Sequence, residues 1–270
     1  SLEGYAPLFR PNTTQVAAAK GTALVLYSLD SAAGLSDTRE FTGHASAITG
    51  SEFNSTGSRI ASCSADGKVI VRNLDDSSIL TLQPSPLGKS VSDVAFSADG
   101  GYLVAVTAEA RIYVFDARSG ARVNELRGHA NAIMSLNVSA NGARILTSAW
   151  DSTVKLWNSR LALGQEVLTD VGTEFAGMSM DQTGTRLAIA SGGARAQILD
   201  TSGDVLASWA AFGGGVNLRE TDFSSDGKVL AVVLDKFLPV VVDLNANQVL
   251  SVFRGHDGEV ALPEPQLLEG

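Results

Sequence analysis

All three histidines of the chain follow a glycine, at Gly43-His44, Gly128-His129 and Gly255-His256. An imidazole can act as general base, proton shuttle or metal ligand, so these positions come first. Their separations, 85 and 127 residues, are two and three times a period of about 42. A histidine that returns in phase with a period reads as part of a repeated framework. None is then left over for a Ser-His-Asp set, and no His-Glu-x-x-His stretch exists. Cys63 is the one cysteine, which excludes an internal disulfide and a thiolate metal cage. Its setting, "IASCSAD", reads as a strand with an inert buried thiol. Residues 177–181, Gly-Met-Ser-Met-Asp, lack the second glycine of a nucleophile elbow and read as a strand. Gly88-Lys89-Ser90 ends like a phosphate loop, but Gln83 stands where the leading glycine belongs and a strand follows. Asp75-Asp76 reads as a solvated turn. The expectation is therefore no catalytic residue, no metal ligand and no cofactor.

The composition fits that expectation. The chain has 270 residues, 44% of them hydrophobic, enough for a sizeable core and too apolar for global disorder. A net charge of −9 disfavours nucleic acid and anionic membrane as general partners. No apolar run approaches the ~18 residues a membrane span needs. The opening "SLEGYAPLFR" carries no secretory pattern. Together with the lone thiol, this reads as an excised part of a longer intracellular protein, cytoplasmic or nuclear.

The elements that position the histidines repeat with them. A turn ending in glycine recurs at Gly57, Gly100, Gly142, Gly184 and Gly227, in steps of 43, 42, 42 and 43. An Asp or Asn closes an apolar run at Asn73, Asp116, Asn158, Asp200 and Asp243, in the same steps, with Asp30 a further 43 upstream. Within each period the texture is β. Residues 128–170 hold "AIMSLNVS", "RILTSAW", "TVKLWN" and "QEVLT", parted by Gly, Asn, Asp and Ser. Four strands per ~42 residues is the arithmetic of a propeller blade, whose faces are covered only when blades stack round an axis. Burial there, at ~25 cal/mol per Å², is the expected cohesive force.

With the Gly-His steps, turn glycines and strand-end Asp residues in place, the chain resembles the WD-repeat β-propeller family over about residues 5–260. The resemblance implies an all-β fold of four-stranded antiparallel blades, with six complete repeats in a ring of six or seven blades. It also implies a hydrogen-bond chain in each blade: the Gly-His histidine, a Ser or Thr, a turn Asp and a Trp. Only the Gly128 unit has all four, at His129, Thr147, Asp151 and Trp157. The Gly43 unit has His44, Ser62 and Asp66, with Arg72 at the Trp position. Around Gly100, Glu109 and Phe115 take the Asp and Trp positions and no histidine precedes them. The later units carry Gly193 or Lys236, and Leu199 or Val242, at those two positions. Residues 1–254 are expected to form the propeller. Residues 255–270 open a further repeat or form a tail leading into a longer parent.

Family resemblance further implies that the ring presents a face to other proteins, through three positions per blade. In the Gly128 unit these are Trp150, Met134 and Ala132; in the Gly43 unit, Thr49, Ala47 and Ala65. Ser92, Ser90 and Ala108 follow in the next unit, and Arg219, Asn217 and Asp235 towards the far side. Trp150 stands out, because exposed Trp with Met nearby is hot-spot composition. The reading is a non-catalytic interaction scaffold within a larger protein or complex. Two other readings stay open. One is an RNA-processing or ribosome-assembly subunit touching nucleic acid, for which Arg111, Arg118, Arg122 and Arg127 are the densest basic stretch, here read as a solvated blade edge. The other is a ligand-binding or enzymatic propeller using its central channel.

Overall fold

A computed structural model describes residues 8–30, 34–85, 87–159, 165–170, 175–191, 195–210, 218–234, 238–246 and 248–252. Among them lie six four-stranded antiparallel sheets, each built from consecutive strands. The first holds β1 (Leu8–Phe9), β2 (Gln15–Lys20), β3 (Ala23–Asp30) and β4 (Gly34–Phe41). Blade 2 holds β5 (Ile48–Phe53), β6 (Arg59–Ser64), β7 (Val69–Asn73) and β8 (Ile79–Leu82). Blade 3 holds β9 (Val91–Phe96), β10 (Tyr102–Thr107), β11 (Arg111–Asp116) and β12 (Arg122–Arg127). Blade 4 holds β13 (Ile133–Val138), β14 (Arg144–Ala149), β15 (Thr153–Asn158) and β16 (Gln165–Asp170). Blade 5 holds β17 (Phe175–Met180), β18 (Arg186–Ser191), β19 (Arg195–Asp200) and β20 (Val205–Ala210). Blade 6 holds β21 (Leu218–Phe223), β22 (Val229–Leu234), β23 (Leu238–Asp243) and β24 (Gln248–Val252). This is the β-propeller arrangement.

The burial pattern shows why the blades stack. The second strands of blades 2, 3 and 4 are buried at every position after the first, because a neighbour covers each of their two faces. Such strands read as continuous apolar runs rather than alternating ones. Outer strands such as β8 and β12 are largely open to solvent. The apolar clusters lie between successive blades. Leu24 and Leu26 meet Ile48 and Ile60. Val71 and Leu82 meet Val94 and Leu103. Val104 and Ile112 meet Ile133 and Trp157. Leu146 and Leu156 meet Met178 and Leu187. Ala188 and Ile198 meet Leu230 and Val240.

The repeated turn that links the first and second strands fixes the blade's lower end. Its glycine is left-handed at Gly57 (φ 68°), Gly100 (φ 70°) and Gly142 (φ 66°), which is why glycine recurs there. The tail 255–270 lies outside the described residues, so the question of a further blade rests on the sequence.

Candidate interaction face

In blade 4 the second-to-third-strand turn, on what we term the upper face, is held by a continuous polar chain. Trp157 Nε1 donates to Thr147 Oγ1 at 2.7 Å. The same hydroxyl lies 2.7 Å from His129 Nε2, and His129 Nδ1 lies 2.9 Å from Asp151 Oδ2. An ionised carboxylate can only accept, so the imidazole proton sits on Nδ1, and Nε2 of the neutral ring accepts from the Thr147 hydroxyl, whose oxygen in turn accepts from the indole. Asp151 also accepts from the Ala130 amide at 2.8 Å and the Thr153 hydroxyl at 2.8 Å. Burial pushes its carboxyl pKa up, but the Ala130 amide, the Thr153 hydroxyl and His129 outweigh that and hold it at about 2. Burial lowers the His129 pKa, against the pull of Asp151. The neutral ring is thus a structural strut with both nitrogens engaged.

Blade 2 builds the chain differently. His44 Nδ1 lies 3.0 Å from Asp66 Oδ2, and Nε2 lies 3.0 Å from Ser62 Oγ. In place of an indole, Arg72 Nη1 donates to Ser62 Oγ at 3.4 Å and Nη2 donates to the Thr42 carbonyl. The guanidinium also stacks 5.5 Å from the Phe41 ring centroid, and burial lowers its pKa. In blade 3 no histidine is present; Ser85 Oγ donates to Glu109 Oε2 at 3.4 Å and Phe115 is buried. Leu199 and Val242 are buried in the Trp position of blades 5 and 6, whereas Gly193 and Lys236 lie outside the described residues.

A second device repeats near the upper face. In blades 2 to 6 the first-to-second-strand register slips by one residue, leaving Thr49, Ser92, Met134, Ala176 and Arg219 unpaired. These are β-bulges, which re-aim a side chain at the end of a ladder. Beside each bulge in blades 2, 3 and 4 the turn reaches back: Ala65, Ala108 and Trp150 donate their amides to the carbonyls of Ala47, Ser90 and Ala132 at 3.1, 3.0 and 2.9 Å. Bulge and turn are therefore brought to one end of each blade.

What that end offers differs between blades. Trp150 is 65% exposed and Met134 43%, with Ala132 half-buried beside them. In blade 2 Ala47 is exposed, but the Thr49 hydroxyl is turned inward and donates to the Val91 carbonyl at 2.6 Å. Ser92 is half-buried. Asn217 and Asp235 lie outside the described residues, and Arg219 is placed by its backbone alone. The basic stretch also divides. Arg111 and Arg127 meet Glu125 at the upper end of blade 3, while Arg118 lies at the lower end in a cavity shared with Arg59 and Ile79. Arg118, Arg122 and Arg127 are exposed and Arg111 is partly so, with Arg122 and Arg127 on the edge strand β12.

Sequence reasoning missed two carboxylates on inner strands. Glu52 of blade 2 accepts from the Phe96 amide of blade 3. Asp93 of blade 3 accepts from its neighbour Val94 at 2.8 Å and presses on Gly50 of blade 2, where a Cβ would come within 2.8 Å of Oδ1. A sliver of each is open, but protein surrounds both. Burial pushes Glu52 up to about 8 and Asp93 up to about 6, and drives the Cys63 thiol behind them to about 12. The available signal was an acid interrupting each apolar first strand. Among the described residues no group of three or more His, Cys, Asp and Glu could hold a metal ion. No helix among them is long and apolar enough to cross a membrane.

Comparison with known proteins adds to this geometry. Residues 35–73, 77–116 and 120–158 match the family described as WD domain, G-beta repeat. Over 150 residues the chain is 26% identical to the Periodic tryptophan protein 2 homolog of Caenorhabditis elegans, covering 55% of this chain and 16% of the relative. It is 31% identical over 111 residues to an uncharacterised WD repeat-containing protein of Synechocystis, covering 41% and 31%. It is 28% identical over 193 residues to the WD repeat-containing protein 91 homolog of Dictyostelium discoideum, covering 68% and 25%. The chain thus spans less than a third of the length of each of these relatives.

Proposed function

Because the chain belongs to the WD-repeat family, with repeats matched across residues 35–158, we propose that it is a non-catalytic platform that binds other proteins through its upper face. One observation carries this reading: Trp150 and the bulged Met134 stand exposed at the same end of blade 4. Interface hot spots are rich in Trp, and Met adapts its shape to a partner. The polar chain beneath, from Trp157 to Asp151, supports the turn that carries Trp150 and so lowers the ordering cost of binding. The other face positions vary the surface around this anchor. We further propose that residues 1–254 act as one propeller, that residues 255–270 lead into the rest of a longer parent, and that the protein works inside the cell.

The test is affinity purification of the parent protein with and without Trp150→Ala. The reading expects at least one partner captured by the wild type to be lost or reduced about tenfold in the folded variant. A variant that keeps every partner at wild-type yield removes Trp150 from the function.

A further inference from the structure

Blade 3 is the described blade whose upper end has an acid at the turn position but no histidine to meet it. Leu87 enters the blade 73% exposed, and a cavity of about 310 Å³ opens beside it. Ser85, Tyr113, Glu109, Arg111, Glu125 and Arg127 complete its wall. The two arginines are arranged by one carboxylate. Glu125 Oε1 accepts from Arg111 Nη1 at 2.7 Å and from Arg127 Nε at 2.8 Å. Arg122 Nη1 stands 3.7 Å from the other oxygen, and Glu109 stands 3.9 Å from Arg111 Nε. The wall thus pairs two guanidiniums with two carboxylates, and Arg122, outside the wall, brings one positive charge in excess on a chain of net charge −9.

A guanidinium carries five N–H donors in a fixed fork, and neither Arg111 nor Arg127 exhausts its set on Glu125. Two forks held side by side at the mouth of a cavity are a preorganised receptor for a second carboxylate. The exposed Leu87 at the lip adds an apolar contact. A polyphosphate strand suits the site poorly, since a charge on every unit exceeds the single local excess and nothing along it meets the exposed Leu87. We propose that this cleft binds an acidic peptide segment of a partner protein, with a carboxylate on Arg111 and Arg127 and an apolar side chain against Leu87. This surface lies on blade 3 and goes beyond the Trp150 reading, which can fail without it.

The probe is a fluorescein-labelled heptapeptide of alternating Glu and Leu, followed by fluorescence polarisation on the full chain. The Glu peptide is expected to bind at least about tenfold more tightly than its Gln counterpart, and to weaken as salt rises. Arg127→Ser, at an exposed position, is expected to weaken binding about fivefold or more, since charge-assisted pairs are the strong ones. Arg118→Ser, at the other end of the same blade, and Trp150→Ala are expected to leave it unchanged. Equal binding of the Glu and Gln peptides by the wild type overturns the proposal, whatever the variants do. Wild-type affinity in folded Arg127→Ser also overturns it, as does displacement of the peptide by an equimolar uridine oligonucleotide.

Discussion

The backbone amide of Trp150 donates to the carbonyl of Ala132 at 2.9 Å, so the turn is tied to the start of its blade without help from the indole. The side chain is left 65% exposed. Trp150→Ala should therefore change stability by no more than about 0.5 kcal/mol, the usual range for surface substitutions away from special features. Thermal unfolding followed by circular dichroism checks this. A large loss would mean that the ring packs down on its own blade, and partner loss in the variant would no longer report binding.

Thr147 is the hub of the blade 4 chain, touching both His129 and Trp157 at 2.7 Å. Thr147→Val keeps the shape and leaves two buried nitrogens without their oxygen. The expected cost is about 2 kcal/mol, within the range for buried groups stripped of partners. Arg72→Ala in blade 2 should cost a similar amount, because it takes a donor from the Ser62 hydroxyl and from the Thr42 carbonyl and removes a guanidinium lying over the Phe41 ring. Urea unfolding of the two variants measures both. An Arg72→Ala protein as stable as the wild type would show that the arginine is no substitute for the tryptophan.

Glu52 supplies the clearest pH dependence. Folding raises its pKa from 4.5 to about 8, so the native state retains a proton that the unfolded chain releases. The stabilising contribution is full below about 4.5 and is lost as pH climbs to about 8. Asp93 acts in the same direction between 3.8 and about 6. Asp151 acts oppositely: its contribution is present above 3.8 and lost as pH falls towards 2. Glu52→Gln keeps an acceptor for the Phe96 amide and cannot ionise. It should gain on the wild type with rising pH, by at least ~1 kcal/mol at the alkaline end. Unfolding curves at pH 5 and 9 test this, and a pH-independent difference contradicts it.

Two left-handed glycines separate backbone strain from crowding. At Gly21 (φ +62°) an added Cβ would meet nothing within 4 Å, whereas at Gly67 (φ +80°) it would stand 2.7 Å from the Gly88 carbonyl. Gly21→Ala should cost about 1 kcal/mol, the left-handed penalty alone. Gly67→Ala should cost more, since the obstacle is backbone where blade 2 meets the entry to blade 3. Equal losses in parallel melts would contradict this reading.

These cases also show what could be read from the sequence. The blade period was legible because it is written in backbone constraint: only glycine sits easily at the φ of Gly57 or Gly142, and Asn73 or Asp116 accepts from amides just beyond its strand. The apolar faces were legible because stacked blades leave no polar side to the second strands. Contacts made between blades were not legible. Nothing local to Glu52 says that its acceptor will meet the Phe96 amide of the next sheet, and the repeat that puts Arg72 at the Trp position does not say that its guanidinium will reach the Thr42 carbonyl at the blade's entry. Nor does the alternation of β13 disclose that Met134 is skipped in the ladder, since a bulge is a property of the pair of strands.

The most direct test of the interaction-face account is site-specific photocrosslinking in cells, with a benzophenone amino acid at position 150 or at position 79. Trp150 and Ile79 are exposed to nearly the same extent, 65% and 63%, but lie at opposite ends of their blades. The account predicts discrete protein adducts from position 150 and only background from position 79. Matching adduct patterns from the two positions, or none from position 150, would contradict it.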